Sequence, residues 1–258
     1  MAVSEPPRGI NHLKALHTLG AVNINTADGM AIMDEIESLD QLKKLDISGI
    51  TRKTGIKLLS KVIPYRLESL SLRFEKDNHD FTKLNSFLFM SVRSLKLYGH
   101  VDKTFLSNFW LPPPELMKLS IEMSTLFTQE DIELMGSLLR LRTLRLRVKK
   151  DQDGELQFPS ALFSKLQDLE ITCKSKLHVK FDGAMEKLEL LKIHCCQGSS
   201  MQFSGLEHLA SLKQVFVQGS LDDALKEALR QQVSIHPKQP FLRLEEADDA
   251  ERSVRMSH

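Results

Sequence analysis

Leu138 to Val148, LLRLRTLRLRV, is the stretch whose reading decides the fold. Leucines stand at Leu138, Leu141, Leu144 and Leu146, giving the spacing L-x-x-L-x-x-L-x-L. Leu144 and Leu146 alternate with Thr143, Arg145 and Arg147, the period-two pattern of a short strand with one buried face. So short a strand cannot bury its apolar face alone. Stacked copies are needed to close a core around it.

Eight further copies occur. They are Leu16/Leu19/Val22/Ile24, Leu39/Leu42/Leu45/Ile47, Pro64/Leu67/Leu70/Leu72, Phe89/Val92/Leu95/Leu97, Pro113/Leu116/Leu119/Ile121, Phe163/Leu166/Leu169/Ile171, Met185/Leu188/Leu191/Ile193 and Leu209/Leu212/Val215/Val217. The third members, with Leu144 in its place, succeed one another at intervals of 23, 25, 25, 24, 25, 25, 22 and 24 residues. This inner spacing and outer period are those of a leucine-rich repeat. The expected fold is an α/β solenoid, or horseshoe, with a parallel concave sheet.

Between copies the pattern loosens. Met33, Ile36 and Leu39 share a helical face, as do Ile132, Met135 and Leu138 behind a capping-box-like start at Thr128 and Asp131. Pro112 to Pro114 rule out a helix there, and Phe158–Pro159 favours an extended turn. The convex side is therefore expected to hold short helices in some repeats and loops or 3₁₀ turns in others. The Asn of a regular ladder is replaced by Ala27, Ile50, Glu75, His100, Ser124, Lys149, Lys174, Cys196 and Ser220, so the coiling should be irregular.

Ser220 reads as the N-cap of a helix over residues 221–231 that caps the last repeat. Val233, Ile235 and Phe241 to Leu244 read as a last strand. The domain expectation is a flexible N-terminus over 1–9, the repeat domain over 10–244 and a disordered charged tail over 245–258.

Composition excludes several functions. A net charge of +1 gives no global drive toward nucleic acid or acidic membranes. No apolar run approaches the roughly 20 residues of a membrane span. The opening MAVSEPPRGI lacks the apolar core of a signal peptide. Cys173, Cys195 and Cys196 form neither a disulfide framework nor a zinc motif. These features fit a reducing, intracellular, cytoplasmic setting. No G-x-S-x-G, H-E-x-x-H or G-x-G-x-x-G occurs, which points to a non-enzyme without metal, cofactor or small-molecule ligand.

Several segments resemble the leucine-rich-repeat region of cereal-type coiled-coil nucleotide-binding immune receptors of plants. Pro7-Arg8-Gly9-Ile10 with Leu13, Leu16, Thr18 and Leu19 resembles their P-x-G-I-x-x-L-x-x-L-x-T-L opening. LDQLKKLDISGI from Leu39 and LESLSLRF from Leu67 resemble their second and a middle repeat. His236, Pro237, Pro240 and Leu242 resemble their closing H-P-x-x-P-x-L. The resemblance implies a recognition and autoinhibitory role in disease resistance. It implies as partner the receptor's own nucleotide-binding module or a pathogen effector. No G-x-x-x-x-G-K-[ST] occurs, so ATP or ADP binding does not carry over, and the chain reads as a fragment or truncated relative.

The residues between the strand leucines should line the concave face. Arg73, Lys96, Lys118, Arg145 and Arg147 form a basic band there with Tyr98 inside it, followed by Asp168 and Glu170. Lys192, His194 and Phe216 continue the row. The band suits an acidic protein surface, with Tyr and Arg as anchors. An ordinary solvated face is the plainer alternative for the charges. For Phe216 the plainer alternative is packing under the C-terminal helix. His194, Cys195 and Cys196 invite a metal or nucleophile reading, but adjacent cysteines on a strand face opposite ways, and a small buried thiol in the turn at Cys196 is the simpler reading. A free-standing intracellular scaffold with no immune role competes with the receptor reading.

Overall fold

The computed structural model describes residues 9–51, 53–55, 65–75, 91–99, 113–123, 127–148 and 154–246. The flexible N-terminus expected over 1–9 lies outside these residues except for Gly9. The tail lies outside them from residue 247. The chain divides into two compact units, Met1–Thr125 and Leu126–His258.

In the first unit five strands run side by side: β1 (Thr18–Asn23), β2 (Lys44–Ile50), β3 (Ser69–Phe74), β4 (Ser94–Gly99) and β5 (Lys118–Met123). Each neighbouring pair is parallel and in chain order. Leu45, Leu70, Leu95 and Leu119 stand level across the sheet, and Ile47, Leu72, Leu97 and Ile121 form the next row. All eight are buried. Between strands the chain returns through a tight turn. Leu39 N–H donates to the Ile36 carbonyl and Leu42 N–H to the Leu39 carbonyl, burying both leucines.

The first copy departs from the expected register. Leu19 pairs with Leu45 and Val22 with Ile47, with a bulge between them. Leu19 and Val22 therefore take the strand positions expected of Val22 and Ile24. The cause is one extra residue in β1. Helix α1 (Gly29–Ile36) follows, burying Ile32, Met33 and Ile36. Its Glu35 reaches back to the start of the described chain, where Oε2 accepts from Gly9 N–H at 2.8 Å and Ile10 N–H at 2.7 Å.

The second unit holds two parallel sheets. Its main sheet has β6 (Thr143–Val148), β8 (Asp168–Cys173), β10 (Leu190–Cys195), β12 (Gln214–Gly219) and β13 (Phe241–Glu246) in that order. Leu144, Leu169, Leu191 and Val215 are level, as are Leu146, Ile171, Ile193 and Val217. None of these eight is more than 2% exposed. The alternation read from Leu144 and Leu146 is the alternation observed.

The second sheet corrects an expectation. Three stretches assigned to helices, loops or turns form β7 (Gly154–Phe158), β9 (Lys176–Phe181) and β11 (Ser200–Ser204), paired in parallel in the order β11-β9-β7. Each alternates as a half-buried strand must. Leu156, Phe158, Leu177, Val179, Phe181, Met201 and Phe203 are buried. Phe158 lies 5.5 Å from Phe163 and 5.6 Å from Phe181, ring centre to ring centre. Phe158 is extended up to Pro159, as expected, and the extension is a strand.

Helix α2 (Gln129–Gly136) opens with the anticipated capping box. Thr128 Oγ1 accepts from Asp131 N–H at 3.2 Å, and Asp131 Oδ2 accepts from Thr128 N–H at 2.8 Å. Helix α3 (Asp223–Ile235) begins two residues later than predicted. Its N-cap is Asp222 rather than Ser220, with Oδ1 accepting from Leu225 N–H at 2.7 Å, and it runs on to Ile235. Leu225 and Leu229 are its buried side chains, and it packs near β11. The sheet then continues past it: β13, not the helix, is the last strand. Glu245 and Glu246, expected in the tail, belong to this strand.

After β12 a tight backbone contact stands where a regular ladder would place its Asn. Gly219 closes β12 at φ +114°, with the Cys195 carbonyl so near that an added Cβ would stand 2.1 Å from its oxygen. Only glycine tolerates both the dihedral and the approach. Gly219→Ala is expected to destabilise the second unit by about 2 kcal/mol or more. Chemical denaturation measures it, and a change within about 0.5 kcal/mol would refute the close approach.

Candidate functional site

The face of each sheet turned away from the leucine core carries the polar rows. In the first unit Arg73 and Tyr98 are level on β3 and β4, and the Arg73 guanidinium lies over the Tyr98 ring at 5.4 Å. Lys96 is half-buried and Lys118 exposed on the same face. Asp46 is level with Ser71, which is level with Lys96. Burial raises the Asp46 carboxyl above its ordinary value of 3.8, against the opposing pull of Arg73 and Lys96. This face is thus basic but not purely so.

In the second unit the register sets Arg145, Glu170, Lys192, Phe216 and Arg243 level on five adjacent strands. Arg147, Thr172, His194, Gln218 and Glu245 form the next row. Contacts join the two rows. Arg145 Nε meets Glu170 Oε2 at 3.1 Å, and His194 Nε2 meets Glu170 Oε1 at 3.4 Å. His194 stands edge-on to Phe216, ring centres 6.5 Å apart, and Arg243 lies over the other ring at 5.4 Å. One line of touching side chains therefore crosses every strand of this sheet. Asp168, one row before Glu170 on the same face, accepts from Thr143 Oγ1 at 3.3 Å.

Glu170 is the centre of that line. Its carboxyl is held below the ordinary 4.5, first by the His194 hydrogen bond and then by the charges of Arg145, His194 and Lys192, with partial burial opposing them. Arg145 is half-exposed and Arg147 exposed. Phe216 is half-buried, and Arg243 of β13 covers it, where α3 was the expected cover. Arg243 is the residue that the sequence reading missed. Its signal was present: Leu242 and Leu244 of the closing segment alternate around it.

His194, Cys195 and Cys196 do not come together as one group. Cys195 is buried at the end of β10 while His194 points to the open face. Burial, then the neighbouring Cys173 and Cys196, push the Cys195 thiol up to about 12, so it stays protonated. It lies 3.9 Å from Met201 Sδ. The buried thiol is thus Cys195, with Cys173 beside it in register, whereas Cys196 is only half-buried.

His178, without an assigned partner in the sequence, joins the second sheet's three strands. Its Nδ1 meets Glu155 Oε2 at 3.3 Å and its Nε2 meets Ser204 Oγ at 2.9 Å. Carboxylate, imidazole and hydroxyl stand in the order of a nucleophilic relay. Side-chain exposures of 35% for His178 and 47% for Glu155 leave water competing for each bond. The three act as a clasp across β7, β9 and β11.

The family described as a leucine-rich repeat region matches residues 2–242. The chain belongs to the leucine-rich-repeat family. No curated protein matches it significantly. Leucine-rich-repeat domains are in general non-catalytic modules for protein–protein interaction, and the parallel sheets with few helices are those of such a solenoid. No helix among the described residues is long and apolar enough to cross a membrane.

The two perturbed carboxyls predict opposite pH effects. Glu170, with its folded value depressed, contributes stability that is complete above 4.5 and lost as pH falls through that folded value. Glu170→Gln should therefore lose stability at neutral pH and converge with the wild type in acid. Asp46, with its folded value raised, contributes stability that is complete below 3.8 and lost as pH rises through the folded value. Asp46→Asn should gain at neutral pH relative to acid. Denaturation midpoints measured across the acid range check both signs; curves parallel to the wild type would contradict them.

Proposed function

We propose that the open face of the second unit's main sheet is a partner-binding surface for an acidic protein segment that also carries an apolar anchor. The line Arg145–Glu170–His194–Phe216–Arg243 supports this reading. Its carboxylate is satisfied internally, and the two rows carry three further cations, Arg147, Lys192 and Arg243, the last paired with Glu245. Phe216 supplies a flat apolar seat between His194 and Arg243. Aromatic and Arg side chains in a partly desolvated centre are the usual anchors of an interface. Leu190 and Phe241 on the neighbouring row extend the apolar part. In the first unit Arg73, Lys96, Tyr98 and Lys118 offer a second basic face of the same character.

The resemblance of the opening and closing segments supports a more specific role. The chain serves as the recognition and autoinhibitory repeat region of a plant intracellular immune receptor. The partner is then the receptor's nucleotide-binding module or a pathogen effector, met inside the cell. Titration calorimetry with a nucleotide-binding module of such a receptor tests this. The double variant Arg145→Glu, Arg147→Glu should weaken binding about tenfold or more, and Phe216→Ala comparably. Unchanged affinity in both removes this face. No binding by the wild-type chain favours a free-standing scaffold instead.

A further inference from the structure

Among the described residues, the last strand ends the second unit's main sheet with its outer edge open. Among the described strands β13 pairs with β12 alone. Leu242 and Leu244 stand level with Val215 and Val217 and point the same way. The two valines are 0% exposed, whereas Leu242 and Leu244 are only half-buried. Phe241, on the strand's other face, is 66% exposed. An edge with unpaired amides and uncovered leucines invites a further strand.

We propose that a second copy of this chain supplies that strand, with β13 pairing antiparallel to β13 of its partner and Leu244 on the twofold axis. The first argument is hydrogen-bond parity. Phe241 N–H donates to the Lys213 carbonyl at 2.8 Å, so Phe241 turns its backbone groups toward β12. Successive residues of a strand alternate in this respect. Arg243 and Glu245 therefore also bond inward, and Leu242, Leu244 and Glu246 present N–H and C=O outward. An antiparallel twofold pair centred on Leu244 sets Leu244 opposite Leu244 and Leu242 opposite Glu246. All of these are outward-bonding positions, so each such pair exchanges two hydrogen bonds.

The second argument is charge. With Leu244 on the axis, Arg243 of each copy faces Glu245 of the other in the closer, non-hydrogen-bonded pairs. Arg243 and Glu245 already form an ion pair within one strand, so both lie on one face and the four side chains close a ring of alternating sign. Shifting the axis to Arg243 sets Arg243 against Arg243. Shifting it to Glu245 sets Glu245 against Glu245. Like charges directly opposite one another are disfavoured, so charge selects the Leu244 register. Glu246 faces Leu242 but keeps its charge paired with Lys226 Nζ at 2.5 Å. The pairing buries Leu242 and Leu244 of both copies, and a twofold contact of this kind closes at two subunits.

Two short strands make a small interface, so dissociation in the range of about 10–100 µM is expected. Sedimentation equilibrium of the full chain tests the proposal at loadings from about 1 to 300 µM. The weight-average mass should rise from 29.4 kDa toward twice that and never beyond it. Glu245→Arg places arginines opposite arginines and should weaken the dimer about tenfold or more. Adding Arg243→Glu restores opposite charges in the same register and should bring affinity back to within about threefold of wild type. Melting temperatures of the three proteins, expected to agree, separate a pairing defect from a folding defect. A wild-type monomer at every loading overturns the proposal. So does growth beyond the dimer, an unweakened Glu245→Arg, or a double variant no tighter than the single one.

Discussion

Everything in this protein depends on the burial of one leucine row against the next. A six-residue strand such as β6 turns Leu144 and Leu146 inward and has no way to desolvate them alone. Parallel neighbours at matching register convert each pair into part of a continuous apolar layer. Full burial of such a side chain contributes about 1.5–3 kcal/mol, and the layer is built from many of them. Parallel pairing also fixes the other face. Because side chains alternate, whatever separates the leucines must line up in rows across the sheet. The contact line from Arg145 to Arg243 is thus a consequence of the core.

The repeat was legible because its signal is redundant. Spacing within a copy, spacing between copies and polar alternation all name the same inward residues, and Leu144, Leu169, Leu191 and Val215 stand level as they require. The first copy was read one step off because Leu19, Val22 and Ile24 are all apolar, and a bulge shifts which two of them pair. The second sheet escaped for a different reason. Leu177, Val179 and Phe181 alternate cleanly, but the assumption of an irregular return side suppressed the reading. Helix α3 was displaced by competing caps: Ser220 and Asp222 both qualify chemically, and only geometry selects Asp222.

The candidate site was legible as a list of positions and illegible as a set of contacts. Register puts Arg145, Glu170, Lys192 and Phe216 in one row, and the sequence gives all four. That Glu170 binds Arg145 and His194 at once depends on rotamers and local burial. The basic band consequently contains an internally neutralised carboxylate. Its aromatic seat is completed by Arg243, which belongs to a strand beyond the ninth copy. Likewise Glu155, His178 and Ser204 come together only because β7, β9 and β11 pair. In a solenoid, neighbours in space lie one period apart in sequence, and a reading along the chain passes over them.

The alternation at the centre of β6 permits a direct comparison between two adjacent residues. Leu144 is 0% exposed, and Arg145 next to it has a side chain 51% exposed. Equilibrium denaturation of Leu144→Ala and Arg145→Ala measures the two faces of one strand. The account predicts a loss of about 2–5 kcal/mol for the leucine and less than about 1 kcal/mol for the arginine. Equal losses, or a larger loss at Arg145, would contradict the buried leucine layer.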